Sequence, residues 1–391
     1  MANVAQPVTV QDTRLLSRPF ALAFVANFLT ALSAHTYLHL PGFLHDLGAR
    51  ELRIGLIMGS MSAAGLLVRP ALGNLMDRRG RRAPAVIGAV CMIAACLLYL
   101  TVHSLGPWIY VVRIIHGVAI AALFSSLFTI AADVAPPQKR AGAIALFGIS
   151  GLIPLAIGGL LGDLILAHGS YQTLFLATAG TATLCLLAVL PIPDTRPQRS
   201  DNEAPNGFLD AIRAPELRPL WLIACGFALC VAASFTFLKT FVLETGVGSV
   251  GLFLSAYAAA AIGIRLTTSW LMNRTNHKRA LLPALISTGA GLLVLAAASH
   301  PVMLAVSGVL CGLGHGYAFP TLAALVVDRA NPSNRGAAIT IFTALFDVGF
   351  LIGGPTFGLL VRVSSYAVMF TTAAAILAIL AVVFYRWDRD R

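Results

Sequence analysis

Apolar residues run along the chain in twelve long stretches separated by polar breaks. They lie at roughly 20–44, 53–76, 84–102, 107–132, 142–167, 171–191, 219–243, 249–272, 280–299, 301–327, 337–361 and 366–385. A helix needs about 20 apolar residues to cross the hydrocarbon core of a bilayer. The stretches match that length and lack the two-residue alternation of a half-buried strand. The pattern predicts an all-α membrane protein with twelve transmembrane helices rather than an outer-membrane barrel. The first stretch is too long for the h-region of a cleavable signal peptide and reads as a span. One break is much longer than the others. Residues 192–218 are charged and proline-rich and fall at mid-chain. They predict a linker between an N-terminal six-helix bundle, 1–191, and a C-terminal six-helix bundle, 219–391. Within it, Phe208–Arg213 reads as a short amphipathic turn on the membrane surface.

Composition sharpens the picture. Of 391 residues, 58% are hydrophobic and 11% charged, against about 25% charged in an average soluble protein. Mean hydropathy is +0.83. A soluble enzyme or a disordered chain is excluded. Lys and Arg number 27 against 16 Asp and Glu, a net charge of +11. In a soluble protein that excess would suggest nucleic acid. Here location decides. With the N-terminus inside, 20 of the basic residues fall in inner segments, and the outer segments hold only Arg50, Arg53 and Arg362. The positive-inside rule then puts both termini in the cytoplasm, makes anionic lipid the partner of the charge, and excludes nucleic acid. The site of action is the cytoplasmic (inner) membrane. The six cysteines sit inside apolar runs without a C-x-x-C pair. They read as small buried hydrophobes rather than metal ligands or a disulfide framework.

The two halves repeat. Arg69–Arg82 reads R-P-A-L-G-N-L-M-D-R-R-G-R-R, and R-L-T-T-S-W-L-M-N-R-T-N-H-K follows at an offset of 196. D-V-A-P-P-Q-K-R-A-G-A-I begins at Asp133, and D-R-A-N-P-S-N-R-G-A-A-I at Asp328, an offset of 195. A duplicated six-helix unit is the layout of transporters whose site lies at the repeat interface.

These residues resemble the major facilitator superfamily over the whole chain. G-N-L-M-D-R-R-G-R-R, Gly73–Arg82, looks like its loop signature between helices 2 and 3. R-I-I-H-G, Arg113–Gly117, looks like the helix 4 signature of proton-coupled members. Gly148–Gly159 approximates the helix 5 signature of drug/proton antiporters, with one residue more after Pro154. The general look is of bacterial arabinose-efflux-like permeases. The resemblance implies two pseudo-symmetric bundles that rock around a midplane site. It also implies a conformational latch built from Gly73, Asp77, Arg78, Gly80, Arg81, Arg82, Asp133 and Arg140. In it Asp77 would lie near helix 11, and Arg81 or Arg82 near Asp133, in the outward-facing state. Gly73, one turn before Asp77, would let a second helix approach closely.

Few charges fall inside the spans, and an intramembrane ionisable residue is a functional candidate. Arg69 and Arg265 are repeat mates within reach of the surface by snorkelling. Arg113 shares a helix face with His116, and in proton-coupled relatives the matching arginine lines the cavity and tunes a nearby acid. Asp347 reads as the only deep acid. Thr340, Thr343 and Asp347 form one polar stripe, and a carboxyl in an apolar cavity suits a proton carrier. Lys239 has Ser234, Thr236 and Thr240 around it and reads either as an anion contact or as a snorkelling cation. Asn27, His35 and His39 line the first span. The two histidines, four residues apart, could relay protons or line the cavity, and no third metal ligand accompanies them. His315 and Tyr317 on helix 10 are further cavity candidates.

The expected function is secondary active transport of a small molecule by alternating access, with protons driving efflux. The Walker G-x-x-x-x-G-K-[ST] loop is absent, so ATP is not the expected energy source, and no cofactor or metal is called for. A monomer suffices. Uptake, including of a metal or metal chelate, lipid flipping, and a non-transporting sensor stay open at this point.

Overall fold

The computed structural model describes residues 17–136, 140–195, 207–271, 277–331 and 335–388. Every regular element among them is helical. In chain order they are α1 (Arg18–Thr36), α2 (Leu40–Asp46), α3 (Glu51–Arg79), α4 (Arg82–Leu98), α5 (Pro107–Val134), α6 (Arg140–His168), α7 (Tyr171–Val189), α8 (Gly207–Arg213), α9 (Arg218–Thr245), α10 (Val250–Leu271), α11 (His277–Ala296), α12 (Pro301–Arg329), α13 (Arg335–Val363) and α14 (Tyr366–Asp388). Eleven segments among the described residues are long and apolar enough to cross a membrane; α1, a 3₁₀ turn and α2 make one of them, Arg18–Asp46. The ninth run falls on α11, whose described side chains form a shorter apolar helix, Leu281–Ala296. α8 covers the expected surface turn. The remainder of the long linker, 196–206, and the centre of the second loop copy, 272–276, lie outside the described residues.

Local chemistry starts and bends these helices. The Ser17 hydroxyl accepts from the Phe20 amide at the head of α1, and Ser170 accepts from Thr173 at the head of α7. Prolines open α5 and α12, where their missing amide costs nothing. Pro41 cannot donate to the carbonyl four residues back, and the first span tightens to a 3₁₀ turn over Tyr37–His39 before α2.

Packing is mostly within each half. α1 packs on α5, α6 and α7, and α4 on α5 and α7. In the second half α9 packs on α13 and α14, α10 on α12, and α11 on α12 and α14. A Cβ on Gly117 of α5 would stand 2.3 Å from the Met61 carbonyl oxygen of α3. A Cβ on Gly312 of α12 would stand 2.2 Å from the Tyr257 carbonyl oxygen of α10. The glycines are 195 residues apart and the carbonyls 196. The sequence repeat is thus also a repeat of helix crossings. Small residues at such crossings let backbones touch where no hydrophobic effect separates helix from lipid. Large apolar side chains such as Leu67, Leu266, Val363 and Ile379 are exposed on the outside of the bundle, as lipid contact requires.

Two crossings join the halves, α3 with α13 and α6 with α10. A Cβ on Gly55 would lie 2.1 Å from the Gly354 carbonyl oxygen, and one on Gly159 would lie 3.1 Å from Gly251 Cα. Gly55 maps onto Gly251, and Gly159 onto Gly354, by the same offsets. Both crossings lie on the side of the bundle away from the two termini. There the Tyr366 hydroxyl also donates to Glu51 across the halves at 3.5 Å. Toward the termini, a Cβ on Gly73, Gly142 or Gly263 would meet nothing within 4 Å. The described contacts between the halves are closest on the far side, and we read the terminus side as the open one.

Candidate functional site

Asp347 sits on α13 and faces α3. Arg69 Nε donates to its Oδ2 at 2.9 Å, and a second guanidinium nitrogen reaches the same oxygen. Arg69 lies ten residues before the end of α3, and Asp347 twelve after the start of α13. At 1.5 Å per residue both lie roughly 15–18 Å in from the terminus side. The pair is half-buried and ties the two halves together just below the sealed crossing. Arg69, read from sequence as within snorkelling reach of the surface, is instead the partner of Asp347. Thr343, one turn earlier, turns its hydroxyl to the Thr340 carbonyl.

Arg113 is elsewhere. Its side chain is 1% exposed. It donates to the Ile57 and Met58 carbonyls of α3 and to the Tyr99 hydroxyl at 3.1–3.3 Å. It therefore staples α5 to α3 inside the first half and does not reach Asp347. His116 follows it into the interior. Its Nδ1 meets Tyr99 Oη at 3.2 Å, its ring packs against Tyr37 at 4.7 Å, and its Nε2 has no hydrogen-bond partner among the described residues. The expected Arg113–Asp347 proximity is not found, because one polar helix face need not be the cavity face. In α5 it points at α3 and α4.

A cavity of about 130 Å³ lies between the halves, lined by His35, Gly151, Leu152, Leu155, Phe235, Tyr257, Ala261, Arg265, His315 and Gly316. His35 Nε2 meets the Gly151 carbonyl at 3.2 Å across α1 and α6. Tyr257 Oη and His315 Nδ1 form a hydrogen bond across α10 and α12, and Arg265 Nε donates to Gly316 at 3.2 Å. Asn27 lies deeper in the first half, donating to Ser150 Oγ at 2.7 Å. Tyr317 is half-buried among hydrophobic core side chains.

His35 and His39 do not act as a pair. The 3₁₀ turn swings His39 away, fully buried, to Asp163 of α6 with Nε2 and Oδ1 2.9 Å apart. Asp163 is a second acid within a span, which the sequence reading passed over because it sits near the end of its run. Its other oxygen accepts the Gly251 amide at the head of α10, 2.6 Å away, across the sealed crossing. Negative charge there also suits the helix N-terminus. Lys239 on α9 lies against Gly42 of α2, within electrostatic reach of Asp163 and Asp46. Among the described residues no three His, Cys, Asp or Glu side chains gather as a metal cluster.

The loop signature folds as a clip. Gly80 turns at φ +81°, and a Cβ there would strike Asp194. Arg81 Nε lies 3.5 Å from Asp133 Oδ2. The Arg81 amide donates to Thr195, and the Arg82 amide to Asp194 at 3.1 Å. Arg78 is exposed. The Asp77 and Arg140 side chains lie outside the described atoms. Gly73, expected at a close approach, has no described atom within 4 Å of where a Cβ would stand.

A cavity enclosed by two repeated helical halves, closed at one end and open at the other, defines a membrane transporter. The profile of the Major Facilitator Superfamily matches residues 20–296 and 245–391, and the chain belongs to that family. It is 28% identical over 362 residues to the MFS-type transporter YhhS of Salmonella typhimurium, covering 89% of this chain and 86% of that one. Among solved structures, the nucleoside transporter NupG (D323A mutant) superposes with TM-score 0.81 at 15% identity, covering 94% of this chain and 99% of NupG. The human organic anion transporter MFSD10 (TETRAN) superposes with TM-score 0.72 at 18% identity, with the same two coverages. At these identities the structural likenesses show the fold alone.

Proposed function

We propose that this transporter exports a small molecule across the cytoplasmic membrane in exchange for protons. Two six-helix units, 1–191 and 219–391, rock about the central cavity. Twelve helices span, the linker 192–218 and both termini are cytoplasmic, and the open side seen here is the cytoplasmic one. The Lys/Arg distribution supports that orientation. Export rests on the approximate resemblance of Gly148–Gly159 to the drug/proton antiporter signature, and proton coupling on that of Arg113–Gly117 to proton-coupled members.

The observation that carries the reading is the Arg69–Asp347 pair bridging α3 and α13. A carboxylate there holds the halves together through a charge-assisted bond. Protonation removes the charge and loosens the tie, so the proton state of Asp347 biases the rocking equilibrium. Alternating access then presents Asp347 to each side in turn.

Metabolite comparison of deletion and overexpressing cells supplies a transported solute, and Asp347→Asn is then assayed in proteoliposomes. Gradient-driven flux should be lost while solute counterflow, which needs only rocking, survives. Driven flux with unchanged pH dependence would show that Asp347 is not the carrier.

A further inference from the structure

The duplication exposes an asymmetry in the central cavity. Arg69 on α3 and Arg265 on α10 are repeat mates, 196 residues apart. Asp347, the partner of Arg69, maps 195 residues back onto Leu152 of α6, in the frame that pairs Gly158 and Gly159 with Gly353 and Gly354. Leu152 lines the cavity beside Arg265. The second arginine thus stands where the first does, on the mate helix, with a leucine in place of its carboxylate. Its Nη1 points across the halves, 3.5 Å from where a Cβ on Gly148 of α6 would stand. Its Nε is occupied by the Gly316 carbonyl. Among the described residues no carboxylate pairs with it, and no Asp or Glu lines the cavity.

A guanidinium withdrawn from bulk water is costly unless an anion meets it. With Nε engaged, the two terminal nitrogens remain free to bind a planar oxyanion in two-pronged fashion. Of the other polar groups of the wall, the His315–Tyr257 pair can present a hydrogen-bond donor, whereas the N–H of His35 is engaged by the Gly151 carbonyl; Leu152, Leu155, Phe235 and Ala261 make an apolar remainder.

We propose that the central cavity binds a small organic anion, a carboxylate or comparable oxyanion on a compact apolar body, held by Arg265. The bound anion would stand between α10 and α6 as Asp347 stands between α3 and α13. Solute and carboxylate would then occupy pseudo-symmetric positions, each bridging the halves through an arginine. This rests on the central cavity being the solute site of the transport cycle proposed above.

The test uses full-length protein in nanodiscs and three matched probes, benzoate, benzyl alcohol and benzylamine, with phenylphosphonate as a second anion. Binding is read by calorimetry and by the shift in Tm. One of the anions should bind at least about tenfold more tightly than the alcohol and the amine, the scale of one charge-assisted contact. Arg265→Gln should erase that preference and Arg265→Lys should keep part of it. The ligand-free Tm of the Lys variant controls for folding. Equal or tighter binding of the amine or alcohol, no anion preference, or anion binding retained in Arg265→Gln would overturn the proposal. Anion-selective binding without driven flux leaves this site standing and refutes the transport cycle. Driven flux of a cationic solute does the reverse.

Discussion

Four ionisable groups inside the spans are satisfied in four different ways, and the differences assign their roles. An unpaired charge at the bilayer centre costs several kcal/mol. Arg113 meets that cost with two backbone carbonyls and a tyrosine, all within one half. Asp347 meets it with an arginine from the other half, and Asp163 with a histidine from its own half and a backbone amide from the other. Arg265 is left with one carbonyl and a cavity. The first arrangement lies within one half and need not change when the halves move; the Asp347 and Asp163 contacts cross between the halves. Arg113→Met should therefore lower Tm and folded yield, since orphaned buried partners cost about 1–3 kcal/mol each. Driven flux and counterflow should fall together, in proportion to folded protein. A normal yield with a shifted pH profile would show instead that Arg113 takes part in coupling. Asp347 was legible as a deep acid from its place in an apolar run. Its partner was not, because Arg69 is 278 residues away and only the meeting of two halves brings them together. Asp163 was missed for the opposite reason: near the end of a run, a charge reads as interfacial.

At the scale of helices, apolar length and breaks sufficed to place nearly every span, because each must satisfy its backbone hydrogen bonds internally. Which face of a helix meets which neighbour was not legible. Period alone cannot separate a polar face turned to a cavity from one turned to a packed partner, and His116 fell on the packed side. Pro41 marks a bend, but only the structure shows that the bend sends His35 to the cavity and His39 to the far-side seal. The inter-half crossings give the element-scale prediction. Gly55→Val places methyl groups against the Gly354 carbonyl, where a Cβ would already lie at 2.1 Å. Overpacking of this kind costs about 1–3 kcal/mol, enough to shift a two-state equilibrium about 5- to 150-fold. The variant should fold yet disfavour the far-side-closed state. Gly117→Val, which strikes the Met61 carbonyl inside one half, should instead lower folded yield. Equal loss of yield in both variants would show that the Gly55–Gly354 contact is needed for folding rather than for one state of the cycle.

At the scale of the whole molecule, the repeat and the loop signature together fix what should differ between the two states. The Gly80–Arg82 clip ties the first half, at Asp133, to the start of the linker, at Asp194 and Thr195. The resemblance assigns the inter-half part of the latch, Asp77 against α13, to the state in which the terminus side is closed. Here that side is open and Gly73 faces empty space. Gly73→Cys in a background lacking the six native cysteines is thus a reporter of both state and orientation. A membrane-impermeant maleimide should label it rapidly in inverted vesicles and scarcely in right-side-out ones. Adding Asp77→Asn removes the carboxylate that closes this side, so labelling should quicken and solute flux should slow while insertion stays normal. Adding Gly55→Val disfavours the state seen here, so labelling should slow, by at most the factor given above. The two second-site changes push one equilibrium in opposite directions, which general damage to the fold cannot imitate. Labelling from the opposite membrane face would reverse the assigned orientation. Equal rates in all three proteins would show that Gly73 does not sense the rocking of the halves, and the latch would then reduce to a positively charged loop that sets topology.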